Sequence, residues 1–187
     1  NMKNKYLINT GFILGTLLCG DALADDRYKL AVIGDSPGAN SIRAGKYEKG
    51  IKAIQVATKS STAVIEAAKQ INLCAAYTNR LDWQNSLISC NNAVMLAQTL
   101  PSTFKYNDNL LAASLSNRAI MKIKQKQYRA ALNDFITALA YKGNEFVEEN
   151  LVLLMQKEGQ ALRYVKLLQS ATEQQILQSN SIGESDV

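Results

Sequence analysis

The side chains in this chain with chemistry to offer are amides rather than acids, bases or nucleophiles. The 187-residue sequence contains no histidine, which removes the commonest general base, the usual partner of a catalytic serine or cysteine, and the commonest metal ligand. Glu145, Glu148 and Glu149 could do acid–base work, but they stand in the first turn of an expected helix, where carboxylates complement the positive end of the dipole. Gly34-Asp35-Ser36-Pro37-Gly38 lacks the glycine spacing and the following Lys-Ser/Thr of a phosphate cradle, and reads as a turn. No catalytic residue, metal site or cofactor is therefore expected. Among the asparagines, Asn72, Asn117 and Asn150, separated by 45 and 33 residues, stand at matching places in a repeat. An asparagine offers two donors and an acceptor lobe. That set complements the N–H and C=O of an extended peptide, and it grips backbone whatever the peptide's side chains are.

The elements that would position these amides are written twice between Ile71 and Ala140. One copy is INLCAAYTNRLDWQNSLISCNNAV and the other LSNRAIMKIKQKQYRAALNDFITALA. Cys74, Trp83, Ser86, Cys90 and Ala93 of the first stand where Ala119, Tyr128, Ala131, Phe135 and Ala138 stand in the second, with identical intervals of nine, three, four and three residues. Each copy is a helix with a small residue in its middle, a polar turn, and a second helix opened by an aromatic. This pattern resembles the tetratricopeptide repeat, a helix-turn-helix unit of about 34 residues with small residues where its helices cross. The resemblance covers about Pro37 to Leu177. It implies an all-α fold of tetratricopeptide-like stacked helical hairpins, an α-solenoid of about three to four repeats with the first truncated; an irregular helical bundle is the alternative.

In the truncated first unit, Tyr47, Gly50, Ile54 and Ala57 keep the spacing of three, four and three. A short helix from Pro37 to Gly45 precedes them, with Asp35 or Ser36 as a capping side chain and proline in the first turn. Ser60-Ser61-Thr62 caps the next helix, which runs to about Asn79, and Pro101 breaks the one after it. An insertion reaches Asp108. The hairpin of Asp108–Lys126 and Tyr128–Tyr141 closes at Gly143 and Asn144. A last pair, Glu145–Lys157 and Gln160 to about Leu177, turns at Gly159; Leu168 and Ala171 keep the spacing, while Tyr164 stands where a small residue is usual.

Stacked repeats of this kind curve, with their first helices lining the concave side. Asn72 and Asn117 each lie two residues before the middle position, and anchoring the last pair on Gly159 puts Asn150 there too. Some members of the family use asparagines to hold a peptide backbone, and the resemblance implies the same ladder here. The alternatives are solvated asparagines, or asparagines that stitch adjacent helices together. Neighbouring groove positions are Ala75, Thr78 and Asn79 on one helix and Ser116, Ile120 and Lys124 on another. Ser116-Asn117-Arg118-Ala119 is similar to a segment that helps bind a C-terminal carboxylate in chaperone-type members. The remaining basic residues of that clamp are missing, so no clamp is expected. The repeat alignment also places Cys74 and Cys90 on facing helices at the crossing point, where they are either bridged or two buried free thiols.

The N-terminal stretch reads as a secretory signal peptide, residues 2–24. Lys3 and Lys5 lead an apolar run from Leu7 to Cys19 that Asn9, Thr10 and Gly11 interrupt, and Ala22-Leu23-Ala24 offers cleavage after Ala24. A retained anchor is the alternative; Thr16-Leu17-Leu18 before Cys19 disfavours lipidation. Without that segment, Lys plus Arg number nineteen against fifteen Asp plus Glu. The mild excess is scattered, unlike the clustered basic face of a nucleic-acid binder. Residues 25–36 form an extended arm whose apolar piece, Leu30 to Ile33, cannot make a sheet by itself. The repeat domain follows over residues 37–177, and the polar tail at residues 178–187 is expected to be disordered. The expected protein is an exported, periplasmic, non-catalytic adaptor that holds a peptide or protein partner in its groove. It has no nucleic-acid partner and no membrane insertion after cleavage. A self-associating envelope scaffold is the other reading, and the sequence leaves the oligomeric state open.

Overall fold

The computed structural model describes residues 27–57, 62–101, 107–141, 145–160 and 162–163. The expected signal segment, the polar tail, Ser60-Ser61, Gly143-Asn144 and most of the stretch Gln160–Leu177 expected as the last helix, with Tyr164, Leu168 and Ala171, lie outside the described residues. The described chain is helical throughout, apart from its turns and an extended N-terminal arm. In order the helices are α1 Ala39–Arg43, α2 Tyr47–Val56, α3 Ala63–Asn79, α4 Trp83–Thr99, α5 Asn107–Lys124 and α6 Tyr128–Ala140; α7 spans residues 145–160. Among the described residues no helix is long and apolar enough to cross a membrane.

Three hairpins, α1–α2, α3–α4 and α5–α6, close with the same turn. In each, a residue enters the left-handed region: Gly45 at φ 73°, Leu81 at 59° and Lys126 at 61°. The N–H of that residue reaches back three residues, to Ile42, Thr78 and Ile123, and the next N–H reaches back five, to Ser41, Tyr77 and Lys122, at 2.8–3.3 Å. This is the helix-ending arrangement that satisfies otherwise unpaired carbonyls. An aromatic, Tyr47, Trp83 or Tyr128, follows two residues after each left-handed residue and opens the next helix. Thr62 and Asp82 accept the first N–H groups of α3 and α4 from Ile65 and Asn85.

Small residues set how closely the pairs approach. Cys74, Cys90, Ala93, Ala119, Ala131 and Ala138 are all fully buried. At the α3–α4 crossing Cys74 and Cys90 are disulfide-bonded, with Cα atoms 4.7 Å apart; the equivalent positions in α5–α6 hold Ala119 and Phe135, both fully buried. Helix α3 packs on α4 and α5, α4 on α5, and α5 on α6, while α1 and α2 sit at the other end against α3. A single large apolar cluster runs from Ile71 of α3 through α4, α5 and α6 to Val147 and Leu154 of α7. The Tyr128 hydroxyl bonds Glu158, and burial first, then that carboxylate, pushes its pKa above the ordinary value. A buried carboxylate, Asp134, accepts two bonds from Arg118 (2.9 and 2.8 Å) and one from Lys122 (2.6 Å), locking α5 to α6; Arg118 also reaches Asn91 of α4 at 3.3 Å.

Two expected boundaries differ. Helix α1 begins at Ala39 after Gly38 in the left-handed region, with no side-chain cap, rather than at Pro37. Gly38 is required there: besides its φ of +76°, a Cβ would lie 2.3 Å from the carbonyl oxygen of Gly50, so the turn is pressed against α2. The turn expected at Gly159 is absent, since α7 runs through it to residue 160. Val147 and Leu154 already anchor the helix on the core, and a single glycine costs a helix only about 1 kcal/mol.

Candidate functional site

Residues 27–34 run in an extended course across α7, α5 and α3, and the three asparagines hold that course. Asn72 Oδ1 accepts from the N–H of Ile33 at 2.7 Å, and its Nδ2 donates to the Ile33 carbonyl at 3.0 Å. Asn117 makes the same pair of bonds with Ala31, at 2.7 and 2.9 Å, and Asn150 with Lys29, at 2.8 and 2.9 Å. Each amide thus plays the part of a neighbouring β-strand residue toward one residue of the arm. Alternation explains the register: along an extended chain, residues i, i+2 and i+4 face the same way, and positions 29, 31 and 33 meet the last, middle and first of the three helices. The arm therefore runs antiparallel to the order of the hairpins.

The ladder is buried and cross-braced. Asn72 and Asn117 are fully inaccessible and Asn150 is 1 % exposed, although the arm residues above them are only half-buried or exposed. The second amide hydrogen of Asn117 goes to the carbonyl of Ile71 at 3.3 Å, and that of Asn150 to Ser116 Oγ at 3.3 Å. Ile71 and Ser116 each immediately precede the asparagine of the helix before. The same side chains thus grip a backbone and tie neighbouring helices, so the two roles coexist. Because an unpaired amide in a dry interior costs about 1–3 kcal/mol, this bracing also fixes which way Asn117 and Asn150 point.

Around the ladder, Tyr28, Leu30, Ala31 and Ile33 lie on the main apolar cluster, which includes Ile71 and Ile120, and Val32 lies on a second cluster with Ile42, Ile51, Ile54, Ala76 and Tyr77. At one end the Arg43 guanidinium donates to the Val32 carbonyl at 3.1 Å. At the other, Lys29 Nζ pairs with Glu149 at 2.7 Å, and Lys157 stands over the Tyr28 ring, 6.0 Å from its centre. There a cavity of about 550 Å³ is lined by Arg27, Tyr28, Lys29, Leu30, Asn79, Lys124 and Lys157.

The positions singled out in the sequence divide accordingly. Asn72, Asn117 and Asn150 share one face, with Ser116 behind Asn150. Asn79 and Lys124 come together at the cavity. Ala75 and Ile120 are fully buried rather than open surface, and Ile120 belongs to the apolar cluster on which the arm packs. Thr78 is not a groove residue; it faces α4 and shares a 2.6 Å hydrogen bond with Ser86. Arg118, in the clamp-like segment, is committed to Asp134 and Asn91. Sequence reasoning missed Arg43 and the groove role of Glu149. It also missed the arm as occupant, although a signal was present: an isolated apolar strand has backbone groups that need partners somewhere, and three amides at equivalent positions can supply them.

The ladder position of the truncated first hairpin, nine residues before its left-handed turn, is Ser36. Its hydroxyl is buried and has no hydrogen-bond partner among the described residues, and the arm leaves the ladder there to become α1. Among the described residues no group of histidine, cysteine or carboxylate side chains could hold a metal ion. Comparison with protein-family models, curated proteins and solved structures finds no match to this chain.

Proposed function

We propose that this chain is a non-catalytic, tetratricopeptide-type adaptor that holds an extended segment of a partner protein along an asparagine ladder. One observation carries the reading: three buried asparagines, one on each of the alternate helices α3, α5 and α7, together contact every second residue of an extended chain, each gripping the N–H and C=O of one residue. Three identical hairpin turns and the shared spacing of small residues support the tetratricopeptide-type stack. Each such bond contributes only about 0.5–1.5 kcal/mol net; selectivity for extended backbone comes from having six in register. The buried bridge between Cys74 and Cys90 suits a protein that works in an oxidising compartment, in line with export through the N-terminal signal and a periplasmic address.

The test is an N-methyl scan of an extended peptide selected against the full-length chain. Binding is expected to be lost at every second residue and retained at those between, and to disappear when Asn72 and Asn117 are both replaced by alanine. A scan without this alternation, or binding unaffected by the double replacement, rejects the reading. A second reading, a self-associating envelope scaffold, draws on the exposed Leu87, Ile88 and Met95 of α4. Light scattering on a sizing column separates the two, because a stable oligomer disrupted by Leu87→Glu with Met95→Glu favours the scaffold.

A further inference from the structure

The groove just described is already filled, and its occupant belongs to the same chain. Residues 29, 31 and 33 use all six of the ladder's outward-facing bonds. A partner's backbone cannot reach the asparagines until the arm leaves. The arm is built to stay without being sealed in. Its inner end is fixed by the tight Gly38–Gly50 contact and by Arg43 on the Val32 carbonyl. None of residues 27–34 is fully buried, and the ion pair of Lys29 with Glu149 is about half exposed on both sides, the kind of pair worth least.

We infer that the arm is a built-in competitor for the groove, and that the partner segment it imitates is an unfolded stretch with the arm's own pattern. That pattern is a basic residue at the rung facing Glu149, a small residue at the Asn117 rung and an aliphatic residue at the Asn72 rung, entering from α7 toward α3. The inference rests on the peptide-groove reading above and adds the ligand's polarity and pattern, and the regulation of the site. A tethered segment of this length presents itself at an effective concentration of around millimolar. An arm whose own affinity for the empty groove is about 1–10 micromolar thus weakens any competing segment on the order of a hundredfold to a thousandfold. Release of the arm switches the groove on.

The experiment uses the full chain and a labelled free peptide, Arg-Tyr-Lys-Leu-Ala-Val-Ile-Gly, matching residues 27–34. Ala31→Pro deletes the N–H that Asn117 accepts and leaves every groove residue in place; Lys29→Pro does the same at the outer rung and serves as the second variant should the first fold poorly. In fluorescence anisotropy the wild-type chain is expected to bind the peptide weakly, and either proline variant at least about tenfold more tightly. Asn72→Ala with Asn117→Ala in the variant should abolish the gain. Two results overturn the inference: a folded variant that binds the peptide no better than wild type, or a wild-type dimer whose arms are exchanged between copies. If the variant ignores this peptide yet binds other extended peptides, the inference fails alone. If it binds no extended peptide at all, the groove reading fails with it.

Discussion

Asn117→Ala is the perturbation with the most to say, because that side chain has two jobs that can be separated. It removes two bonds to Ala31, at 2.7 and 2.9 Å, and one to the Ile71 carbonyl, at 3.3 Å, from a fully buried site. At about 0.5–1.5 kcal/mol per bond the arm term is worth roughly 1–3 kcal/mol and the helix-stitching term about 1 kcal/mol. A double-mutant cycle with Ala31→Pro divides them. In that background the bond from the residue-31 N–H is gone while its carbonyl still accepts from Asn117, so Asn117→Ala should cost the stitching term and that one remaining bond, and the coupling energy should be about 0.5–1.5 kcal/mol. Urea unfolding of the four chains supplies the stabilities. Amide exchange supplies the local readout: in the wild type Lys29, Ala31 and Ile33 should exchange slowly, while Leu30 and Val32, whose N–H groups face away from the ladder, exchange fast. Asn72, whose bonds among the described residues go to Ile33, gives the control, and its replacement should lack the stitching cost. A coupling energy below about 0.3 kcal/mol, the level expected of independent sites, would refute the ladder as a source of binding energy.

Two further predictions concern the hairpins themselves. Leu81 and Lys126 hold left-handed conformations that glycine occupies at the equivalent position 45, and Leu81 is 56 % exposed. Leu81→Gly and Lys126→Gly should therefore each stabilise by about 0.5–1 kcal/mol, whereas Gly45→Ala should lose a similar amount; a fall in Tm for both glycine variants would contradict the turn assignment. Reducing the Cys74–Cys90 bridge, which closes a loop of 16 residues, should lower unfolding free energy by about 3 kcal/mol, and a loss under about 1 kcal/mol in urea titrations with and without reductant would show that the bridge adds little.

What was legible in the sequence was whatever repeats locally. Cys74 with Cys90, and Ala119 with Phe135, recur at fixed intervals because helices can cross closely only where side chains are small or shape-matched, and the Trp83 and Tyr128 positions follow a turn of fixed length. The three asparagines were legible for the same reason. The arm's destination was not, because its bonds to Asn72, Asn117 and Asn150 span 39, 86 and 121 residues and pair side chains with backbone, which leaves no periodic trace. Glu149 looked complete as a helix-start carboxylate, and only the course of the arm brings Lys29 to it. Gly159 misled by marking a turn at the right interval after Lys126, in a helix whose buried Val147 and Leu154 carry it straight through.

The ladder also constrains the shape of the stack. An extended chain advances about 6.6–6.8 Å for every two residues, whereas packed helices stand about 8–10 Å apart. Two helix intervals would then outrun four residues of arm by roughly 2–7 Å if the helix faces were parallel. Yet the outer rungs at Asn72 and Asn150 are as short as the middle one, between 2.7 and 3.0 Å on both atoms. The difference is within the reach of the outer asparagine side chains leaning inward, or of helix faces that converge on the arm. Either way the outer rungs have less reach to spare than the central one, so separating α3 from α7 should break the bonds of Asn72 and Asn150 before those of Asn117.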